Sequence, residues 1–330
     1  MKTKRVAVLA VIFSLLISTV AITVEKPKTE KPKKLYILKS SIHNHTVWSD
    51  GVLTVDELAK RVRRLGYRVI IFTDHSDLHI NDHPDSFWWY QKETQARNKD
   101  GDFVVLTCRE ITIGPAKDSN DHLGACSSTS TPFLYNPKLT FDQVMSRLNT
   151  EEGIITIYHH PRTNTKWCNQ VWKFSGIELF NDPFDERIDQ DCYIRALRAG
   201  YTGLVTGGID YHLGPFSEIA TWIFAGSITK QGVLEALKNS RTIATSNVTR
   251  LLASSSPSKV RQSKKPLHIT FTVSSGTPIA YIAYKDGYEY ESKHLIDGGP
   301  NTYYFDFTPI ISGCYVFRVP NYMTTSSYCY

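Results

Sequence analysis

The chain has 330 residues, 41% of them hydrophobic and 21% charged, ordinary proportions for a soluble protein with one large domain and room for a small appendage. Its formal charge is +6, but residues 1–40 hold nine Lys/Arg against two Glu, so the rest of the chain carries 29 basic and 30 acidic side chains. A near-neutral body excludes a basic nucleic-acid binder by composition, and no nucleic-acid partner is expected.

Lys2, Lys4 and Arg5 precede nineteen uncharged residues, Val6 to Val24. A basic start followed by an apolar run reads as an export segment. It is either cleaved, with Ala21 as one site, or kept as an anchor, since nineteen residues nearly span a bilayer. Residues 1–24 are thus expected to be a signal peptide or membrane anchor, and the body to work extracytoplasmically, secreted or anchored. Residues 25–34, charged and proline-bearing, read as a linker.

Leu35 to Ile42 reads as the first strand, ending at His43-Asn44-His45. Residues i and i+2 of a strand share a face, so the two imidazoles are about 7 Å apart. An isolated pair of this kind is more often a strand end in solvent than a metal site. Thr54-Val-Asp-Glu57 has the form of a capping box and opens a helix to about Leu65, ended by Gly66. Tyr67 to Thr73 is a short apolar strand running into Asp74-His75.

A Trp/Tyr-rich helix, about 85–98, leads to strand 103–107, with Glu110 just beyond. His122 stands in a loop. Helix 141–149 leads to strand 153–158, followed by His159-His160-Pro161 and then Arg162. Strand 176–180 precedes a helix at 186–198. Strand 203–207 is followed by Asp210-Tyr211-His212, and helix 230–239 closes the series. Short apolar strands alternating with helices predict a parallel β/α sheet, open or closed into a barrel.

After Ala253 the pattern changes. Residues 254–265 read as a linker, and period-2 strands then appear at 268–273, 279–284, 303–307 and 315–319. They predict a small all-β, sandwich-like domain over residues 266–330, following a main domain at 35–253. Asp286-Gly287 is a hairpin turn signal. Six cysteines without a CxxC pair exclude a zinc ribbon or thioredoxin-like motif. An even count in an exported chain permits disulfides, with Cys314–Cys329 the expected pair, stabilising by about 3 kcal/mol on the chain-entropy account.

The ends of the strands carry the chemistry. In a parallel β/α barrel the loops after the strands converge on one face. Five such ends here deliver His, Asp or Glu, and burying so many ionisable groups together is costly unless cations neutralise them.

His43-x-His45-Thr46-x-x-Ser49-Asp50-Gly51 and Thr73-Asp74-His75-Ser76 resemble the motifs of the PHP (polymerase and histidinol phosphatase) superfamily of metal-dependent hydrolases. The resemblance runs from Ser41 to about Thr245 and is closest to the carbaryl-hydrolase-like (CehA/McbA) branch. It implies a distorted TIM-like (β/α)7 barrel with two or three divalent transition metals. It implies a first metal between His43, His45, Glu110 and Asp210, with Glu110 bridging to a second held by His122 and His160. His160 is preferred to His159 because the family ligand directly precedes the proline. Asp50, His75 and His212 would hold a third, Asp50 standing where many members have histidine.

Imidazole and carboxylate donors without thiolate suit Zn, Mn or Fe. Such a cluster lowers the pKa of a bridging water and so supplies hydroxide for attack on phosphorus or a carbonyl. The expected activity is a phosphoesterase on a small phosphorylated molecule, with Arg162 placed to hold an anionic group. A carboxylic ester or carbamate hydrolase is the alternative. A non-catalytic, metal-containing envelope-binding protein is a third reading, kept open by the tyrosines of residues 281–330.

Overall fold

Thr54 caps the first helix as its sequence predicts: its side chain accepts from the Glu57 N–H, and Glu57 accepts from the Thr54 N–H at 2.9 Å. The computed structural model describes residues 34–76, 86–113, 122–127, 136, 138–161, 168–181, 186–260 and 262–330. The expected export segment, residues 1–24, lies outside them, as do residues 25–33 of the expected linker. Among the described residues no helix is long and apolar enough to cross a membrane.

The first half runs β1 (Tyr36–Asn44), α1 (Val55–Arg64), β2 (Val69–Phe72), α2 (Ser86–Ala96), β3 (Val104–Thr107), β4 (Arg109–Thr112), β5 (His122–Cys126), α3 (Phe141–Leu148) and β6 (Ile155–Tyr158). Next come β7 (Gly176–Phe180), α4 (Glu186–Arg198), β8 (Leu204–Tyr211), β9 (Ala220–Ala225), α5 (Lys230–Lys238), β10 (Thr242–Thr245) and β11 (Val248–Ala253). The last strands are β12 (Leu267–Val273), β13 (Ala280–Lys285), β14 (Tyr288–His294), β15 (Ile296–Asp297), β16 (Thr302–Phe307), β17 (Cys314–Val319), β18 (Met323–Thr325) and β19 (Tyr328–Cys329).

β1 is the hub. Its first half pairs antiparallel with β9, its centre pairs parallel with β2, and its end pairs parallel with β8. β2 continues in parallel to β3, and β8 in parallel to β7 and β6. β5 lies between β6 and β4 and pairs antiparallel with both, and β3 runs into β4 through Cys108.

The sheet is therefore mixed, not parallel throughout as expected. One cause is chain length. Only residues 113–121 separate β4 from β5, and a parallel crossover needs a dozen or more.

Alternation along the parallel strands buries both faces. Ile70, Phe72 and Val105 join the core that contains Val55, Leu58 and Val62 of α1, while Val69, Ile71 and Val104 face a second core with Leu38, Ile42 and Ile157. A strand buried on both sides needs an apolar residue at every position, hence the unbroken Val-Ile-Ile-Phe of β2.

The C-terminal strands form two layers. β11, β12, β16 and β15 make a four-stranded sheet, whose Leu267, Ile269, Phe271 and Phe305 share a core with Tyr281, Ala283, Phe317 and Val319 of β13 and β17. β17 pairs with β18 and β18 with β10, so the second layer continues the sheet that contains β1. Trp222 and Phe224 of β9 join the same core. The Asp286-Gly287 turn joins β13 to β14 with both residues at positive φ, 52° and 77°.

Of the tyrosines that kept an envelope-binding reading open, Tyr281, Tyr315, Tyr328 and Tyr330 are buried in this core. All six cysteines pair, as Cys108–Cys126, Cys168–Cys192 and Cys314–Cys329, the last across directly opposed positions of β17 and β19.

Candidate metal centre

The strand ends bring the expected residues to one place. His43 lies at a register shift between β1 and β8, with φ at 63°. That irregularity turns its imidazole away from the alternation of the strand. His160 and Asp210 also have positive φ, 24° and 52°. Non-glycine residues in this region are uncommon, and they collect where a site over-determines the backbone. His45 is fixed by its N–H, which donates to the Tyr211 carbonyl at 2.9 Å, and His75 forms an isolated parallel bridge with Glu110.

Four side chains form the tightest group. His43 Nε2 lies 3.0 Å from Glu110 Oε1 and 3.1 Å from Asp210 Oδ1. His45 Nε2 lies 3.2 Å from Glu110 Oε2 and 3.3 Å from the same Asp210 oxygen. Donors held about 2.0–2.2 Å from one tetrahedral ion stand about 3.3 Å from each other. His43 Nε2, His45 Nε2 and Glu110 Oε2 are buried without a hydrogen-bond partner among the described residues. A buried polar atom left so is expensive unless something binds it. The donor set and its spacing thus fit a divalent transition metal.

Two further groups share Glu110 and His45. Glu110 Oε1 lies 3.2 Å from His122 Nδ1 and 3.4 Å from His160 Nε2, the two rings being 3.1 Å apart at those nitrogens. His75 Nδ1 approaches Glu110 Oε2 at 3.3 Å, so His75, Glu110 and His122 also converge. Towards solvent, Asp50 lies 3.2 Å from His212 Nε2, 3.5 Å from His45 Nδ1 and 3.7 Å from His75 Nε2. Nine sequence-predicted residues are thereby gathered. Arg162 lies outside the described residues.

A family model for the PHP domain matches residues 41–220, more than half of the chain. The chain belongs to the PHP domain family. No curated protein matches it in sequence.

Three solved structures are similar at low identity. A two-domain protein of Bacteroides vulgatus, containing a predicted PHP-like metal-dependent phosphoesterase, is 17% identical, covering 90% of this chain and 95% of its own, with a TM-score of 0.49. A candidate metal-dependent phosphoesterase of Bifidobacterium adolescentis is 16% identical over 53% of this chain and 87% of its own, TM-score 0.39. An amidohydrolase of Chromobacterium violaceum with bound sulfate and no metal is 11% identical over 52% and 87%, TM-score 0.39.

Three more residues pack against the nine gathered ones: Glu178, which has no role in the sequence reading, and His159 and Asp74, which stand in the quoted motifs but are not among the expected ligands. Glu178, in the middle of β7, is fully buried and lies 3.0 Å from His43 Nδ1. His159 stacks on His43 with ring centroids 3.8 Å apart, and its Nδ1 is 2.8 Å from Glu110 Oε1. Both neighbours of the Pro161 turn therefore reach Glu110, His159 more closely than His160. Asp74 accepts from the Thr46 N–H at 2.7 Å, the Thr46 hydroxyl, and the Ser49 hydroxyl at 2.7 Å. The one available signal was a carboxylate inside an otherwise apolar strand, Gly-Ile-Glu-Leu-Phe, which needs a partner wherever it is buried.

The electrostatics follow from crowding. Burial opposes ionisation of Glu110, but the imidazoles of His43, His122 and His75 outweigh it and hold the carboxyl well below its usual range. Burial likewise opposes charge on His43 and His45. Glu110, Glu178 and Asp210 nevertheless raise His43 well above the ordinary range, and Asp210 and Glu110 raise His45 to about 10. At the rim burial is outweighed again, and His212, His45 and His75 draw Asp50 down to about 2. Burial dominates at His75 and His159, which fall to about 3 and about 4. Buried carboxylates at this density demand positive charge beside them.

Proposed function

We propose that this PHP domain is a metal-dependent hydrolase, most specifically a phosphoesterase acting on a small phosphorylated molecule. The observation that carries the reading is the group His43, His45, Glu110 and Asp210, whose donors crowd at 3.0–3.3 Å while two ring nitrogens and a carboxylate oxygen lack hydrogen bonds among the described residues. These four would hold a first divalent ion, Glu110 with His122 and His160 a second, and Asp50, His75 and His212 a third. When bound, Zn, Mn or Fe ions so placed lower the pKa of a shared water and neutralise charge on the reacting group.

The chain's own residues supply alignment and exclusion of water. Ser49 fixes His45: its hydroxyl donates to Asp74 and so accepts from His45 Nδ1 at 3.3 Å, which makes Nε2 the nitrogen that can offer a lone pair to a cation. His43, His45 and Glu110 are buried, whereas Asp50 and His212 are partly exposed. Substrate approach is therefore assigned to the Asp50–His212 side. Arg162, two positions after His160, is assigned the anionic group of the substrate.

β1 leads through β2 to β3 on one side and through β8, β7, β6 and β5 to β4 on the other, and β3 runs into β4 through Cys108; with β3 and β4 taken as one broken strand, this supports reading the mixed sheet as a distorted seven-stranded barrel. The basic, apolar start of the sequence and three disulfides support an extracytoplasmic location, secreted or anchored.

The test is a hydrolysis screen of metal-loaded protein with p-nitrophenyl phosphate, phosphodiesters and carboxylic esters, each with Mn2+, Zn2+ and Fe2+. Phosphate ester cleavage lost on chelation and in His43→Ala supports the proposal. Cleavage of carboxylic esters alone would transfer the site to carbonyl chemistry, and no metal-dependent cleavage at all would remove the catalytic reading.

A further inference from the structure

Glu178 touches none of the open faces of the site, yet it is bound on every side. Its Oε1 lies 3.0 Å and its Oε2 3.1 Å from His43 Nδ1. Oε2 also accepts the His160 backbone N–H at 3.0 Å and the Asn181 side-chain N–H at 2.9 Å. The carboxylate is fully buried, with three nitrogens grouped about its two oxygens. Its cradle is shaped to admit it: a Cβ on Gly208 would stand 2.0 Å from Oε1.

The bonding pattern has one consistent assignment. The His160 and Asn181 groups only donate, and a carboxyl that takes two N–H groups at one oxygen with a third nitrogen at the other is held as an acceptor-only carboxylate, so His43 presents Nδ1–H to Oε1. With Nδ1 keeping its proton, Nε2 is the atom that gives up a proton and offers its lone pair to a cation, and it faces Glu110 and Asp210. The same Oε2 holds the backbone of His160, whose φ is 24°.

Resting on the metal-centre reading above, we infer that Glu178 is a positioning residue that acts through two others. It sets the tautomer and ring orientation of His43, and through the His160 N–H it ties that choice to a second histidine of the cluster. Its role is distinct from that of Glu110, which lies among the donors themselves.

Glu178→Gln isolates this role, because the side chain keeps its size. To satisfy His160 and Asn181 the amide must turn its oxygen to the Oε2 position, which aims an N–H at His43 Nδ1. His43 must then accept there and carry its proton on Nε2, which blocks that atom as a ligand.

The experiment is Zn2+ titration of the full chain against a competing chromophoric chelator, comparing wild type and E178Q, with the melting temperature of each chelated protein alongside. Loss of an outer partner of a ligating histidine weakens metal binding about 10–100-fold. That loss is expected in E178Q while the chelated protein stays folded, together with a changed His43 pattern in long-range 15N–1H spectra of the Zn2+-treated protein. Wild-type affinity in folded E178Q would overturn the inference and leave the metal centre standing. Failure of the wild type itself to bind Zn2+ would overturn both. Should E178Q not fold, Asn181→Ala, which loosens the carboxylate without removing it, carries the test: weaker Zn2+ binding supports the inference and wild-type binding contradicts it.

Discussion

Gly208 of β8 lies flat against His43 of β1, so close that a Cβ on it would stand 2.7 Å from the His43 Cβ. Contacts under about 3 Å force a neighbour to move, and both neighbours here, His43 and Glu178, are fully buried. Gly208→Ala is expected to cost about 1–3 kcal/mol of stability, the usual range for overpacking, and to weaken metal retention as His43 is displaced. Denaturant unfolding with metal analysis of the same samples checks both. A variant that keeps its full stability and metal content contradicts this account of β8.

Asp74 is the second buried carboxylate behind the site. Asp74→Asn would put an amide N–H among three donors, Thr46 N, Thr46 Oγ1 and Ser49 Oγ. Leaving one of them unsatisfied costs about 1–3 kcal/mol, and Ser49 loses the acceptor that orients it towards His45. The expected result is a lower urea midpoint with metal affinity reduced alongside. Ser49→Ala, which keeps Asp74, should reduce affinity with a smaller loss of stability. Equal affinity in both variants and wild type would remove the relay.

Metal-free protein should show a stability optimum near neutral pH. His45 has its folded pKa raised to about 10, above the ordinary value of about 6.5. Its stabilisation is complete below about pH 6.5 and is lost as pH rises through about 10. His75 and His159 are lowered to about 3 and about 4. The unfolded chain takes up those protons first, so the folded state loses stability as pH falls from about 6.5 towards 4. Melting temperatures of chelated protein across pH 4–10 should fall on both sides of neutrality. A steady rise from pH 6.5 to 10 would contradict the assignment at His45.

The Cys108–Cys126 disulfide ties the break between β3 and β4 to the end of β5, flanking Glu110 on one side and closing the strand that opens with His122 on the other. Its ends are 18 residues apart in sequence, and closing a loop of that length is worth about 3 kcal/mol on the chain-entropy account. The Cys108→Ser, Cys126→Ser variant is expected to lose stability of that order and to bind metal more weakly. A variant equal to wild type in both would make the bridge incidental.

What the sequence disclosed follows from where each signal is written. Most of the candidate ligands were legible because they sit just past a local mark, an apolar strand that stops, as at Ile42, Thr73 and Tyr158. The capping box at Thr54 and the Asp286-Gly287 turn were legible for the same reason. His122 read as a loop residue because a five-residue strand of His-Leu-Gly-Ala-Cys has no period to recognise. Its strand character comes from β4 and β6 on either side. Glu178 lies 135 positions from His43, and nothing near either residue announces the other. The short strands β9 and β10 were likewise invisible, since their pairing with β1 and β18 is set by the fold and not by local pattern.

The most direct measurement is the metal content of full-length protein purified without chelator, by inductively coupled plasma mass spectrometry, for wild type and His43→Ala. A cluster built on Glu110 as a shared carboxylate predicts about two to three equivalents of Zn, Mn or Fe in the wild type, and fewer in the variant. Less than about one equivalent in the wild type, even after incubation with these ions and gel filtration, would contradict the central claim that these side chains form a multinuclear metal centre.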